Sequence, residues 1–512
     1  MSALELARRE ARQRLLNCYL RETRQFDVPQ GKFRIRLART GAELVVDVVS
    51  PSPFGHHRYG PDTDPDHDQL VTAILRELAA TTGFAGVAEL RRQIGNSIAR
   101  TARYLGNTAT DFSGSPHEVT RKAEQSLRLG HPFHPTPKSA EGFTEADLAR
   151  YAPELGAIFA LHYFAVADEV IEEVKVAEAS WVPDEVAAAT PDGYTSIPAH
   201  PWQAGYLLGT GTLRGLIAAD VVRPLGPLGK PVYPTSSVRT VCDPEFPTAW
   251  KLPLHVRITN FVRTNPAEHL RRATEAAAVV ATLPSFPGFS VLSETGSRTV
   301  GAADDELRAD LGVLYRDNPF AHNGEAPRVL GALLENPRTF MREVLSAGDV
   351  HEWLRDYLAI MLRPQLRLFA DYGIVFEAHA QNTLLCMENG HPCAVWLRDL
   401  EGAAVSSEGK AAEGLGDDSP LRCSRGHAVR RLTYHAVTGQ LGHLIDVLGR
   451  YSRATENDLW REARHCLAEW DEADELLSTR ELPAKANLTS RFAGKGERPS
   501  YVTIPNPLWE PR

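Results

Sequence analysis

A change of pattern along the chain limits its fold more than any single motif does. Helical periodicity at both ends encloses a stretch of short β-type runs. From about residue 155 to 300 these are "AIFALHYFAVADEV", "YTSIPAH", "DVVRPL", "SSVRTV", "KLPLHVRITNFV" and "FSVLSETGSRTV", separated by prolines and glycines. Short runs punctuated by turn residues predict a mainly antiparallel sheet. The first run is apolar throughout and reads equally as strand or buried helix. One helix, about 267–282, interrupts the sheet. Before it, 4–24 has the pattern of an amphipathic helix, 32–49 alternates about a Thr-Gly turn as a hairpin, and 66–129 reads as three helical pieces, the last capped by Gly130. After it, helices are expected at 338–347, 351–370, 426–450 and 455–476, with 404–420 a flexible loop and the last twenty residues lying along the surface. The expectation is an α+β fold in three parts: helical 1–150, sheet-rich 151–337, and mainly helical 338–512 with a β-hairpin.

Length agrees with this, since 512 residues exceed a single small core. A net charge of -9, from 56 basic and 65 acidic residues, argues against a general nucleic-acid coat. Six cysteines, Cys18, Cys242, Cys386, Cys393, Cys423 and Cys466, form no CxxC pair and point to reduced thiols rather than a disulfide scaffold. The N-terminus is charged throughout and lacks the apolar core of a signal peptide. No run approaches the ~18 apolar residues of a membrane span. These features predict a cytoplasmic protein with no membrane or nucleic-acid partner.

The stretch "FEAHAQNTLLCMENGHPCAVWLRDLEG" (376–402) carries the most chemistry. "TLLCM" and "AVWLR" are strands and "ENG" is their turn. The open ends gather Glu377, His379, Gln381, Asn382, Arg398, Asp399 and Glu401. Pairing across the hairpin predicts Asn382 and Asp399 as near neighbours. Such an oxygen-rich cluster suits Mg²⁺, a hard cation that binds together with phosphates. Kinase-like phosphotransferases place a metal-binding Asn and Asp similarly. This chain, however, has neither GxGxxG nor GxxxxGK[ST]. The bland alternative is a solvated hairpin end.

Three further polar clusters stand apart in sequence. "GHPFHPTPK" (130–138) is stiffened by three prolines and presents His131, His134 and Lys138. An anion-binding loop, a connector, and half a zinc site are its readings. "PTSSVRT" (234–240) and "KLPLHVRITNFVR" (251–263) carry Ser237, Arg239, Thr240, Lys251, His255, Arg257, Thr259 and Arg263. Odd-numbered positions from Lys251 to Arg263 fall on one face if the strand is regular, with Pro253 able to break that parity. The face is either solvated or a pocket for several negative charges. In "IPAHPWQ" (197–203), Trp202 and His200 read mainly as packing residues.

Taken in this order, "GHPFHPTPK", "AHPWQ", "PTSSVRT…KLPLHVRITNFVR", "EAHAQN" and "RDLEG" resemble the NRPS-independent siderophore synthetases, the aerobactin-synthetase-like family. The likeness runs from about 124 to 402, with helical continuation beyond. It implies a hand-like architecture of thumb, fingers and palm, and commonly a homodimer. It also implies an ATP- and Mg²⁺-dependent ligase of iron acquisition. Such an enzyme adenylates a carboxylate, most often citrate, and condenses it with an amine or hydroxyl, releasing AMP and pyrophosphate. Other acids in view are a citrate monoamide, a succinyl-amine and 2-oxoglutarate. The implied roles are nucleotide binding for Gly130, His134, Lys138, Ser237, Arg239, Thr240, Lys251, Gln381 and Asp399. Thr259, Arg263 and His379 would hold the acid, and Glu377, Asn382 and Asp399 the metal. Arg239, Lys251, Arg263 and His379 would act in catalysis, with His379 either a base for the amine or a carboxylate ligand. The chain departs from many relatives at Ala140, where they carry an arginine, and it is short for the family. Two other functions remain open from sequence: a kinase-like phosphotransferase, and a non-catalytic anion-binding protein on the same scaffold.

Overall fold

A computed structural model describes residues 1–60, 66–107, 112–258, 261–301, 304–318, 326–495 and 498–510. The fold mixes helix and sheet, as the sequence pattern predicts. The N-terminal part packs the helix Ala3–Glu22 on a three-stranded sheet (31–36, 43–50, 58–59) and on the helices His67–Thr82 and Val87–Leu105. Ser2 and Asp66 begin two of these helices with reciprocal capping boxes, which satisfies orphan N–H groups at each start. The third helical piece, Pro116–Glu124, ends at Gln125. Gly130 is therefore not its cap, although it does take a left-handed backbone at φ 74°.

The middle region forms an eight-stranded antiparallel sheet in the order 171–175, 294–300, 313–317, 248–251, 240–242, 222–234, 159–167, 194–199. The ambiguous apolar run is thus a strand, Phe159–Ala167. The helices Asp184–Ala189, Pro201–Leu208, Gly211–Ala218 and Asp305–Leu311 accompany the expected Ala267–Val280. Helices of six to eight residues span about two turns and carry little periodic signal, so the sequence pattern hides them.

Two strand pairings join the regions. The strand Leu254–Ile258 pairs with Phe261–Arg263 and with the distant Ala140–Glu141. The hairpin Thr383–Glu388/His391–Leu397 takes Phe289–Val291 as a parallel neighbour. Behind the hairpin lie the long helix Val350–Tyr372 and the helices Gly442–Tyr451 and Glu456–Leu467, packed around Trp353, Tyr357 and Trp460. The C-terminal segment does more than lie on the surface. Tyr501–Pro505 pairs with Glu481–Lys485, and Leu488 and Phe492 enter the N-terminal core. No described helix is long and apolar enough to cross a membrane.

Candidate active site

Strand register assembles the first wall of the site. Lys251 pairs with Thr240 on one side and Leu314 on the other, and Glu294 pairs with Arg316. Side chains alternate along a strand, so Thr240, Lys251, Glu294 and Arg316 share one face. The opposite face is apolar, with Trp250 and Tyr315 buried. Lys251 ends its strand, and Leu254 begins a different sheet. The proposed single cationic face from Lys251 to Arg263 is therefore split at Pro253: Lys251 is buried, His255 half-buried and Arg257 exposed. Thr259 lies outside the described residues.

The turn after the hairpin faces this wall. The strand ends at Leu397, so Asn382 lies opposite Arg398, whose N–H donates to the Asn382 carbonyl at 3.1 Å. Asp399 is one residue further than the hairpin reading placed it. It adopts a left-handed conformation, φ 77° and ψ 62°, which Asp tolerates better than most residues. That twist turns its carboxylate onto Lys251, with Arg316 donating at 2.9 Å. Lys251 also donates to Glu401 at 2.8 Å, and Arg239 stands 3.8 Å from the same Glu401. Arg316 closes the network on fully buried Glu294 at 2.6 Å. Three cations thus meet three carboxylates. Burial alone would raise Asp399, yet the charges of Lys251 and Arg316 outweigh it and hold the group far below the usual carboxylate range. Glu401 is lowered for the same reason, against burial, by Lys251.

Other predicted residues join this network by different routes. Arg239 donates to the Arg263 carbonyl at 3.0 Å and to Asn265, which fixes the strand carrying Arg263. Burial and the nearby Arg239 bring the Arg263 guanidinium down to about 10. Ser237 and Thr240 form one tight turn, in which Thr240 N–H donates to the Ser237 carbonyl at 3.1 Å. Gln381 donates to the Ser236 carbonyl at 3.0 Å and so ties this turn to the hairpin. Arg398 is the anchor beneath: it pairs with buried Glu124 and donates to Ser236 Oγ at 2.9 Å.

In the 130–138 loop the Gly130 N–H and the Lys138 ammonium are already engaged. Glu335 accepts the N–H groups of Arg128, Leu129 and Gly130, the last at 2.6 Å. Lys138 pairs with Glu154 at 2.7 Å. A side chain on Gly130 would come within 2.9 Å of Pro137, so close packing as well as positive φ requires glycine there. His134 is buried, and its Nδ1 accepts from the Thr136 N–H at 3.1 Å.

Glu377, His379 and Asn382 form the second wall. Asn382 donates to the Glu377 carbonyl at 3.2 Å. The Glu377 carboxylate sits against Arg431 at 3.1 Å and His435 at 3.3 Å. It also packs under Gly402, where a Cβ would fall 2.7 Å from it. Burial works against this charge, but the adjacent His435 ring and the Arg431 guanidinium hold it well below the usual carboxylate range. Burial lowers His379 despite Glu377 and leaves it neutral near pH 7. Among the described residues, only His255, Glu306 and Asp310 form a group of three histidine or acidic ligands close enough to share one ion. Glu377 and Asp399 are not drawn together in that way.

Sequence reasoning passed over Arg316, Glu294, Arg431 and His435. A charged residue inside the apolar strand "VLYRD" was the available signal for Arg316.

Residues 120–335 match the IucA / IucC family model, and 351–500 match a model described as ferric iron reductase FhuF-like transporter. The L-2,3-diaminopropanoate–citrate ligase of Staphylococcus aureus is 34% identical, over 97% of this chain and 95% of its own. The chain belongs to the IucA/IucC family of siderophore synthetases. A second relative, the spermidine-citrate ligase of Bacillus anthracis, is 27% identical over 99% of this chain and 98% of its own. In fold, the synthetase matches the ATP-bound aerobactin synthetase IucA of Klebsiella pneumoniae. The TM-score is 0.83 at 23% identity, over 98% of this chain and 99% of that one.

Proposed function

We propose that this synthetase uses ATP to adenylate a carboxylate of citrate and passes the acyl group to an amine, releasing pyrophosphate and then AMP. The observation that carries this reading is the buried network of Lys251, Arg239 and Arg316 against Asp399, Glu401 and Glu294. Fixed cations in a water-poor site stabilise negative charge as it shifts between carboxylate and phosphate, with no reorganisation at the moment of reaction. The names of the relatives, both citrate ligases, support citrate as the acid, and the ATP-bound relative of like fold supports the nucleotide.

In this reading a citrate carboxylate oxygen attacks the α-phosphorus, and the bond to pyrophosphate breaks. Arg263 is suited to grip a second carboxylate of the acid through paired hydrogen bonds. The amine nitrogen then bonds to the acyl carbon while the C–O bond to AMP breaks, the electron pair leaving with AMP. In the same reading neutral His379 takes the amine proton. For Mg²⁺, Asp399 would offer a hard oxygen held ionised, on a carboxylate that Lys251 and Arg316 also contact. Glu377 would offer a second carboxylate, likewise contacted by Arg431 and His435. When bound, the ion would offset phosphate charge.

Product analysis tests the reading. The enzyme is supplied with ATP, Mg²⁺, a panel of acids and hydroxylamine as surrogate amine. AMP, pyrophosphate and a hydroxamate with citrate are expected. ADP with a phosphorylated acid would replace the ligase by a phosphotransferase. Free 2,3-diaminopropanoate and spermidine, the amines in the relatives' names, then serve as candidate nucleophiles.

A further inference from the structure

The turn that carries Asp399 is held from outside itself. Asp399 takes a left-handed backbone, which a residue with a side chain keeps only where its surroundings enforce it. The carbonyls that follow show what enforces it here. Those of Asp399 and Leu400 accept from the N–H groups of Gly402 and Ala403, at 3.0 and 2.9 Å. Those of Glu401 and Ala403 accept from Arg272, through Nε at 3.1 Å and Nη2 at 2.9 Å. The Gly402 carbonyl accepts from Arg431, on the helix Arg425–Leu432 that runs on as the π-helix Thr433–Leu441. Every carbonyl from 399 to 403 is thus engaged, the last three by guanidiniums from two different helices.

Arg272 has no part in the chemistry derived above. It is half-buried in the helix Ala267–Val280. All three of its nitrogens donate to main-chain carbonyls, the third to Pro420 at 2.8 Å. A planar guanidinium fixes the relative positions of the groups it binds, as a single ammonium does not. Arg272 therefore sets Glu401, Ala403 and Pro420 in one arrangement.

The same helix is seated on the opposite wall. Leu270 and Ala273 pack on Leu314. Leu314 pairs with Lys251 across the sheet and lies two residues from Arg316, so it shares their face. One rigid element thus rests on the cationic strands and grips the acidic turn. We infer that Arg272 is a positioning residue: it locks the left-handed turn so that Asp399 and Glu401 meet Lys251 and Arg316. It acts through that turn and not on the substrate. The reaction it serves rests on the ligase reading above.

The test supplies the full chain with ATP, Mg²⁺, citrate and hydroxylamine, and measures AMP and ADP separately. Arg272→Ala should lower kcat by about tenfold or more, the value of a lost charged hydrogen bond, with KM for citrate nearly unchanged. Arg272→Lys should stay as low, because an ammonium keeps the charge and cannot span the three carbonyls. Guanidinium ion at a non-denaturing concentration should restore part of the kcat of the alanine variant. Arg271→Ala is the control. It removes the pairs with Glu275 and Asp418 on the same helix and leaves the turn alone, so kcat should hold. If the alanine variant does not fold, Arg272→Lys carries the test. A lysine variant with the wild-type kcat would overturn the inference. So would a folded alanine variant that guanidinium does not revive, or equal losses from Arg271→Ala and Arg272→Ala. ADP in place of AMP would remove the ligase reading alone, since the variants are compared on either product. No nucleotide turnover with any acid would remove both.

Discussion

The two walls of the site treat buried charge in opposite ways. On the sheet side, Lys251, Arg239 and Arg316 are each matched to Asp399, Glu401 or Glu294. On the helical side, among the described residues, Glu377 is the carboxylate that acts on Arg431 and Lys485, while burial strips the charge from His379, His435 and His131. Matched buried charge is rigid and already oriented, which suits a group that must stabilise a transient anion. Unmatched charge beside neutral imidazoles suits an incoming ligand and a moving proton. The difference teaches that one cleft can divide activation from transfer by how its charges are paired.

The sharpest break in the comparison is Asp399→Ala. It should lower citrate-dependent pyrophosphate release by about a hundredfold or more, since it removes the group that orients Lys251 and Arg316. Asp399→Asn tolerates the same left-handed backbone, so it separates charge from conformation. Near-normal release from a folded alanine variant would take Asp399 out of the nucleotide side.

Stability should divide the walls as well. Lys251→Met leaves Asp399 and Glu401 without their shared cation. Both acids are partly exposed, at 30% and 21%, and each keeps an arginine, so the cost should be about 2 kcal/mol, below that of a fully buried pair. Lys485→Met loses no ion pair and should shift stability by less than about 1 kcal/mol. Urea unfolding of the two variants measures both. Equal losses would mean that Lys485 is paired after all.

These residues also mark how far the sequence could be read. The hairpin was plain from "TLLCM", "ENG" and "AVWLR", because alternation and turn chemistry are local. Its mouth was misread by one residue, since the strand stops at Leu397 and sets Asn382 against Arg398. The cationic face failed at Pro253, where the chain leaves one sheet for another. Arg316 and Glu294 were invisible as a pair, for they become neighbours only through strand register. Lys485 stands between the last expected helix and the surface tail, in a stretch given no reading from sequence, and pairs with Tyr501. Nothing in "TYHAVTGQL" distinguishes π from α periodicity. Local chemistry was legible, and long-range register was not.

A smaller effect tests the division between acid and nucleotide. Arg263→Ala should raise KM for citrate by about tenfold, as expected for one lost charge-assisted contact, and leave KM for ATP nearly unchanged. Collapse of ATP binding would join Arg263 to Arg239 on the nucleotide side.

The mildest prediction concerns pH. Burial brings His200, His435 and His443 down to about 3, and His57 to about 4. The unfolded chain protonates these groups near 6.5, while the folded protein does not. Their contribution is therefore full above about pH 6.5 and is lost as pH falls below it, by at most about 1.4 kcal/mol per histidine per pH unit. Asp399 behaves otherwise. Its folded value is depressed below the ordinary ~3.9, so its contribution holds above about pH 4 and fades only under stronger acid. Glu22 and Glu456, raised to about 7 and about 8 by burial, add stability as pH falls and partly mask the histidines. The difference between wild type and His435→Gln removes that background. Glu377, Arg431, Lys485, His379 and Tyr434 all face His435, and burial lowers His379 as well. Urea midpoints at pH 7.5 and 5.5 should therefore separate by about 1 kcal/mol less in the variant. An unchanged separation would mean that His435 takes up its proton in the folded protein, and the contrast between a matched, ionised wall and a neutral one would fail there.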